Sequence, residues 1–309
     1  MENRRKFLKN LVVGSSALIC APTLWSGETF AASSKKITIL HTNDTHSRIE
    51  PFPDDGSRNA NQGGVAARAT LIEKIRLEED NVLLLDAGDI FQGTPYFNFY
   101  GGEIELKLMS KMGYDASTLG NHEFDNGLEG LFEQLEHAKF PLINSNYDFS
   151  TTLLRNEFPP YKVFKKGGIK VGVFGLGIEL EGLVADKHYG GTRYLDPVGI
   201  AMEMVEELKS QKCQLIICLS HLGYAYQSEK IDDLKLAAQV SGIDLIIGGH
   251  THTFLDEPIA VQHADGNITL VNQVGWAGIK MGKVDFVFDK DGRINNLSSS
   301  SILINRKDK

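Results

Sequence analysis

A chain of 309 residues, 42% of them hydrophobic, has enough apolar material to bury the core of one large domain or two small ones, which excludes a disordered chain. Its formal charge of −8 counts against a surface built to hold nucleic acid or anionic lipid. Bound cations do not enter that sum, so a local cationic site stays open.

In chain order, Arg4-Arg5-Lys6-Phe7-Leu8-Lys9 is a paired-arginine basic region, Leu11 to Leu24 is a moderately apolar stretch broken by Gly14 and Pro22, and Thr29-Phe30-Ala31 offers small residues for cleavage. Residues 1–31 thus resemble a twin-arginine export signal. The apolar run is too short and too interrupted for a membrane span. The expectation is a protein exported to the periplasm or cell envelope, with no span left once the signal is removed. Residues 1–31 carry four basic and two acidic side chains, so their net +2 leaves −10 on residues 32–309. Cys20 leaves with the signal. Cys213 and Cys218 flank one strand-like run, where a separation of five puts them on opposite faces and predicts no disulfide between them.

Short β-branched runs then alternate with helical patterns, the appearance of an α/β domain. Lys36 to Leu40 reads as a strand ending in His41-Thr42-Asn43-Asp44-Thr45-His46. A polar loop with Pro51, Pro53 and Gly56 leads to Gly63-Gly64, which opens a helix bearing Val65, Ala69, Ile72 and Ile75 on one face. The paired glycines read as close packing at the helix start or as a phosphate cradle. Asn81 to Leu85 is a short apolar strand ending in Asp86-Ala87-Gly88-Asp89, followed by a loop with Gly93 and Pro95. A helix over Glu103 to Lys111 and a run from Asp115 to Leu119 deliver Gly120-Asn121-His122-Glu123-Phe124-Asp125.

A helix from Leu128 to Ala138 and a strand from Pro141 to Asn144 come next, then a hairpin over Tyr161 to Gly175 that turns at Lys166-Gly167-Gly168. Asp196-Pro197 is a helix start, with Val198, Ala201, Met202, Val205 and Leu208 as its buried stripe. The strand Gln214 to Leu219 delivers Ser220-His221-Leu222-Gly223, and Asp244 to Ile247 delivers Gly248-Gly249-His250-Thr251-His252. From Ile259 onward the pattern alternates as in strands, with turns at Asp265-Gly266 and Asp291-Gly292.

Five strand segments therefore end in polar motifs, and in α/β sheets the ligand crevice lies at the carboxyl ends of the strands. The convergent set is Asp44, His46, Asp89, Asn121, His122, His221, His250 and His252. A lone histidine or aspartate at such a position is an ordinary loop residue. Together they mix carboxylate, imidazole and one amide without thiolate, which suits Mn, Zn, Fe, Co, Mg or Ca rather than a cysteine-based structural zinc. Seven ligands, setting His122 aside, exceed one tetrahedral ion and suit two ions sharing a carboxylate. Two ions roughly 3.5–4 Å apart clamp a phosphoryl group for in-line displacement.

HTNDTH, LLLDAGD, GNHEFDNG, SHLG and GGHTH, in this order, resemble the five motifs of the calcineurin-like metallophosphatases, and the wording of the first and third is similar to the 5′-nucleotidase branch. The resemblance implies a four-layer αββα double-sheet sandwich over residues 32–309 and two divalent metal ions. It implies that Asp44, His46, Asp89 and His252 hold one ion, that Asp89, Asn121, His221 and His250 hold the other, and that His122 is the catalytic acid paired with Asp125. Asp86 is then structural, and Asn121 and Arg48 are candidates for contact with substrate phosphate. The implied chemistry is attack on a phosphate ester, expected to be a nucleotide, by a hydroxide held between two cations while His122 protonates the leaving group. Classical members of this branch continue into a second domain that holds the nucleobase, and this chain shows no such segment before Lys309. Two explanations compete: the nucleotidase C-terminal domain is a separate polypeptide and a partner of this chain, or the chain stands alone as a phosphatase of broader or different specificity, with a 2′,3′-cyclic nucleotide phosphodiesterase as a further enzyme alternative. A metal-stabilised, non-catalytic binding subunit is the alternative outside enzymes. The retained His122 and Asp125 count against it.

Overall fold

The computed structural model describes residues 35–305. The export-signal reading, with its cleavage residues and Cys20, lies outside the described residues. Two six-stranded sheets stack face to face with helices on both outer surfaces. In the first, β1 (Lys35–Thr42), β2 (Val82–Asp86), β3 (Ala116–Thr118) and β4 (Leu142–Ile143) run parallel. In the second, β6 (Tyr161–Lys166) and β7 (Ile169–Leu176) form the predicted hairpin, and β9 (Leu215–Ser220) and β10 (Leu245–Ile247) extend β7 in parallel. β5 (Tyr147–Asp148), which precedes β6, and β8 (Arg193–Tyr194), which lies between β7 and β9 in sequence, pair on their own.

The carboxyl-terminal strands divide between the two sheets. β11 (Ile259–Gln262) and β12 (Ile268–Asn272) close the edge of the second, while β13 (Lys280–Phe288) and β14 (Ile294–Leu303) join the first beside β1. The helices are α1 (Val65–Glu78), α2 (Pro95–Tyr100), α3 (Glu103–Met112), α4 (Gly127–Gln134), α5 (Asp186–Tyr189), α6 (Pro197–Ser210) and α7 (Asp233–Gln239). Among the described residues no helix is long and apolar enough to cross a membrane.

Strand periodicity explains the four layers. Successive side chains on a strand point to opposite faces. Ile37 and Ile39 of β1, Leu83 and Leu85 of β2, Leu215, Ile217 and Leu219 of β9 and Leu245 and Ile247 of β10 all enter the core between the sheets. Their neighbours Leu40, Val82 and Leu84 turn outward to pack with α1, α3 and α4. On the other side Ile216, Cys218 and Ile246 pack against α6 and α7. Both faces of each sheet are apolar, which is why these strands read as continuous hydrophobic runs.

Several local expectations are corrected. Pro95 does not sit in an open loop but starts α2, with Pro in the first turn and Gly101 ending the helix in a left-handed conformation. The helix expected to run to Ala138 ends at Gln134 and tightens into a 3₁₀ turn over Leu135–His137. In α6 the Asp196 carboxylate accepts from the Val198 and Gly199 N–H groups as predicted, but Met202 lies 46% exposed while Ala201, Val205 and Leu208 are buried. Met202 sits about 100° around the helix from Ala201, enough to carry it off the buried face. Cys213 precedes β9 rather than lying on it, so both cysteines face the α6–α7 layer, each as a free thiol.

Candidate metal centre

Parallel strands send their carboxyl ends in one direction, and the loops after β1, β2, β3, β9 and β10 meet at a single edge of the sandwich. Asp44, Asp89, Asn121, His46 and His221 are all buried there, while the His252 side chain remains 40% exposed. Five of the expected ligands have left-handed backbones: Asp44 (φ 49°), His46 (φ 47°), Asp89 (φ 54°), His250 (φ 68°) and His252 (φ 53°). Such conformations cost a non-glycine residue about 1–3 kcal/mol each and persist where surrounding structure imposes them, commonly at functional sites. The loop after β3 passes so close that a Cβ on Gly120 would run into Asp89 Oδ1 and lie 2.7 Å from the Asp89 backbone nitrogen.

Three sets of donor atoms converge within 4.8 Å of one another: Asp44–His46–His252, Asp89–His221–His250 and His46–Asp89–His122. Asp89 belongs to two of them. Its Oδ2 lies 3.0 Å from His221 Nε2 and 3.8 Å from His46 Nε2, and Asp44 Oδ1 lies 3.4 Å from His252 Nε2. Asn121 Oδ1 is 2.9 Å from His250 Nδ1, which places the amide at the same cluster.

The tautomers show that this set fits a cation. His46 Nδ1 faces the Phe91 carbonyl at 3.2 Å and His221 Nδ1 faces the Ala87 carbonyl at 2.6 Å. A carbonyl can only accept, so both Nδ1 atoms carry the proton and both Nε2 atoms of the neutral rings present a lone pair to the cluster. His46 Nε2 meets His252 Nε2 at 2.9 Å, and buried His221 Nε2 makes no hydrogen bond although it abuts the Asp89 carboxylate. Lone pairs and carboxylates packed in this way require positive charge between them, from a proton or a divalent metal ion.

The titration shifts report the same demand. Burial opposes charge on His221, but Asp89 and Asp44 outweigh it and hold its pKa up at about 10. Burial would raise Asp89, and the surrounding imidazoles, His221 first, hold it well below the usual carboxylate range. His250 goes the other way, pushed down to about 4 by burial and by His221.

His122 stands beside the cluster, half-buried, its ring 5.2 Å from that of His46. Its Nδ1 lies 2.8 Å from Asp125 Oδ2 and its backbone N–H donates to Asp89 Oδ1 at 2.9 Å. Burial lowers the His122 pKa, but the Asp125 hydrogen bond together with Asp89, Asp125 and Glu123 more than compensates, and the net shift is upward. Beneath the cluster, buried Asp86 accepts from Thr42 Oγ1 at 2.6 Å, Gly88 N at 2.9 Å and Ser117 Oγ at 3.0 Å, the supporting place expected of it.

A model of the calcineurin-like phosphoesterase family matches residues 37–254. The chain belongs to the calcineurin-like phosphoesterases. Among similar proteins, the snake venom 5′-nucleotidase of Crotalus adamanteus is 37% identical over 296 residues, which cover 89% of this phosphoesterase and 49% of the venom protein. The crystal structure of a 5′-nucleotidase precursor from Thermus thermophilus superposes with a TM-score of 0.79 at 34% identity, covering 89% of this chain and 55% of that one. The calcineurin-like phosphoesterase YfkN from Bacillus subtilis superposes with a TM-score of 0.72 at 27% identity, covering 88% and 91%. The chain spans about half the length of the curated relatives it matches.

The phosphoesterase site also contains residues to which sequence reasoning gave no part. Glu123 is 1% exposed, and its carboxylate accepts from the backbone N–H groups of Gly120, Asp89, Ile90 and Phe91, tying the β2 loop to the β3 loop. Asn43, also buried, bridges the β1 loop to the segment after β12 by accepting from Val274 N and donating to the Gly275 carbonyl. The signal for both was their place inside the two longest polar motifs. Arg48, the other candidate for contact with substrate phosphate, has its guanidinium carbon 4.3 Å over the Phe52 ring. Gly63 and Gly64 line a separate cleft of about 770 Å³ with Ile49, Phe52, Ile72 and Leu108, and a Cβ on Gly64 would meet Pro51 N at 2.9 Å. That contact is close packing at a helix start.

Proposed function

We propose that this chain hydrolyses a phosphate monoester of the nucleotide class, as a 5′-nucleotidase-like enzyme with two divalent ions. One ion is assigned to Asp44, His46, Asp89 and His252, the other to Asp89, Asn121, His221 and His250. The observation that carries this reading is the place of Asp89, whose Oδ2 lies 3.0 Å from His221 Nε2 of one donor set and 3.8 Å from His46 Nε2 of the other, with the hydrogen-bonded His122–Asp125 pair beside it. When bound, the ions supply Lewis-acid charge for the phosphoryl oxygens and make water nucleophilic near neutral pH.

The chain's own residues supply the rest. Asp125 fixes the His122 proton on Nδ1 when the ring is neutral and favours the protonated ring, leaving Nε2 to donate to the leaving alkoxide as the phosphorus–oxygen bond breaks. Asn121 offers an amide to a phosphoryl oxygen. Arg48, lying over the Phe52 ring, is the second candidate for that contact.

The test is a substrate panel of nucleoside monophosphates, a 2′,3′-cyclic nucleotide and an aryl phosphate with Mn, Zn, Mg, Co or Ca, run beside His122→Ala. Monophosphate hydrolysis is expected, and the variant keeps its metals while turnover drops by about a hundredfold or more, the size of a lost general acid. Absence of hydrolysis under every metal refutes the reading, and metal loss in the variant would make His122 a ligand rather than an acid.

A further inference from the structure

His252 is the expected ligand with the least scaffolding. The rings of His46 and His221 are each oriented through Nδ1 by a backbone carbonyl, of Phe91 and Ala87 respectively, and His250 meets Asn121, itself an expected ligand. Among the described residues, the hydrogen-bond neighbour of the His252 ring is another ligand, His46 Nε2. With a side chain 40% exposed, neither burial nor an outer hydrogen bond locks its rotamer. What lies against it is Trp276, whose ring is 5.8 Å away centroid to centroid and tilted by only 8°.

Trp276 is itself held in place by the loops it serves. Asn43 Oδ1 accepts from Val274 N at 2.9 Å and Asn43 Nδ2 donates to the Gly275 carbonyl at 2.6 Å. Gly275 N donates to the Thr253 carbonyl at 2.9 Å, next to His252, and Ala277 N donates to the Asp44 carbonyl at 2.7 Å. The indole is thus fixed relative to both Asp44 and His252. The Phe52 ring also meets the indole, 5.8 Å away and inclined by 75°, and the Arg48 guanidinium lies over Phe52 at 4.3 Å. The result is a chain of ring contacts: Arg48 on Phe52, Phe52 on Trp276, Trp276 on His252.

We infer that Trp276 is a positioning residue for the His252 side of the metal centre, its stacked ring holding the imidazole so that Nε2 stays beside Asp44 and His46. This rests on the two-metal reading above and adds an asymmetry to it: affinity at Asp44–His46–His252 depends on an aromatic ring at position 276, while affinity at Asp89–His221–His250 does not. Loss of an outer partner of a metal ligand lowers affinity by about 10–100-fold, and loss of one aromatic stack corresponds to the lower end of that range.

The test is Mn²⁺ titration calorimetry on wild type, Trp276→Ala, Trp276→Leu and Trp276→Phe, with metal content measured after gel filtration and the unfolding midpoint of each metal-free protein as a control. Wild type is expected to take up two ions. Trp276→Ala and Trp276→Leu weaken one site about tenfold or more and leave the other unchanged, while Trp276→Phe stays within a few-fold of wild type. Two unaltered sites in Trp276→Ala, or equal loss at both, overturns the inference. So does a Trp276→Leu protein that binds like Trp276→Phe, because bulk rather than stacking would then suffice. A wild type that takes up no metal refutes the metal reading instead.

Discussion

Replacing Glu123 by glutamine removes one oxygen and no volume, yet it strikes the joint between the two loops that bring Asp89 and Asn121 together. Oε2 accepts from Gly120 N at 2.5 Å and Asp89 N at 3.0 Å, and Oε1 accepts from Ile90 N at 2.7 Å and Phe91 N at 3.3 Å. Whichever way the amide turns, its NH₂ faces two backbone donors that have no water to fall back on, because the side chain is 1% exposed. Each buried N–H left without an acceptor costs about 1–3 kcal/mol, so the variant is expected to lose about 2–6 kcal/mol, with the lower half favoured if the loops relax. Burial and the neighbouring Asp89 push the Glu123 carboxyl up to about 7, against the pull of His221 and of the Gly120 and Ile90 N–H groups, so the comparison belongs at pH 8 where the carboxylate is ionised. The assay is urea unfolding of the metal-free proteins at that pH, with Mn²⁺ uptake measured alongside. A stability change under about 1 kcal/mol, with two ions still bound, would show that the carboxylate does not anchor the Asp89 loop.

Gly120→Ala is expected to bind less metal and to lose most turnover, because the new Cβ meets Asp89 backbone and side-chain atoms that have no room to yield, and overpacking costs about 1–3 kcal/mol. Metal content and kcat measured on the same preparation check this, and wild-type values for both would refute it. His41, fully buried behind the β1 loop, has its pKa lowered by burial to about 3, against an ordinary value near 6.5. The unfolded chain therefore takes up a proton that the fold refuses between pH 6.5 and 3, and this group contributes stability that is present above 6.5 and lost as pH falls to 3. Its slope is about 1.4 kcal/mol per pH unit within that window. Urea midpoints at pH 7 and pH 5 should fall less for His41→Gln than for wild type; equal slopes would mean that His41 is not neutral in the fold.

Most of the architecture was legible because the central parallel strands of both sheets are apolar on both faces and end in motifs, as with Val82–Asp86 before Gly88 and Leu215–Ser220 before His221. The errors arose where local signals were compatible with two outcomes. Pro95 suits a loop as well as a first helical turn, and Met202 has the right polarity for a buried stripe but the wrong angle on α6. Cys213 lies outside the strand whose period was applied to it.

The sequence by itself determined the chemistry: which side chains carry oxygen and imidazole donors, that they end five strands, and that their order matches one family. Those properties are local and survive without knowledge of how strands pair. Tertiary structure decided which donors share a partner. It set Asp89 between His221 and His46, brought His252 from the second sheet beside His46 from the first, and turned Arg48 onto Phe52. It also gave Glu123, Asn43 and Trp276 their parts, since hydrogen bonds and ring contacts between distant loops depend on ångström-scale placement across two sheets. Residue type and spacing set what each side chain can do, and only the packed sandwich sets which others it meets.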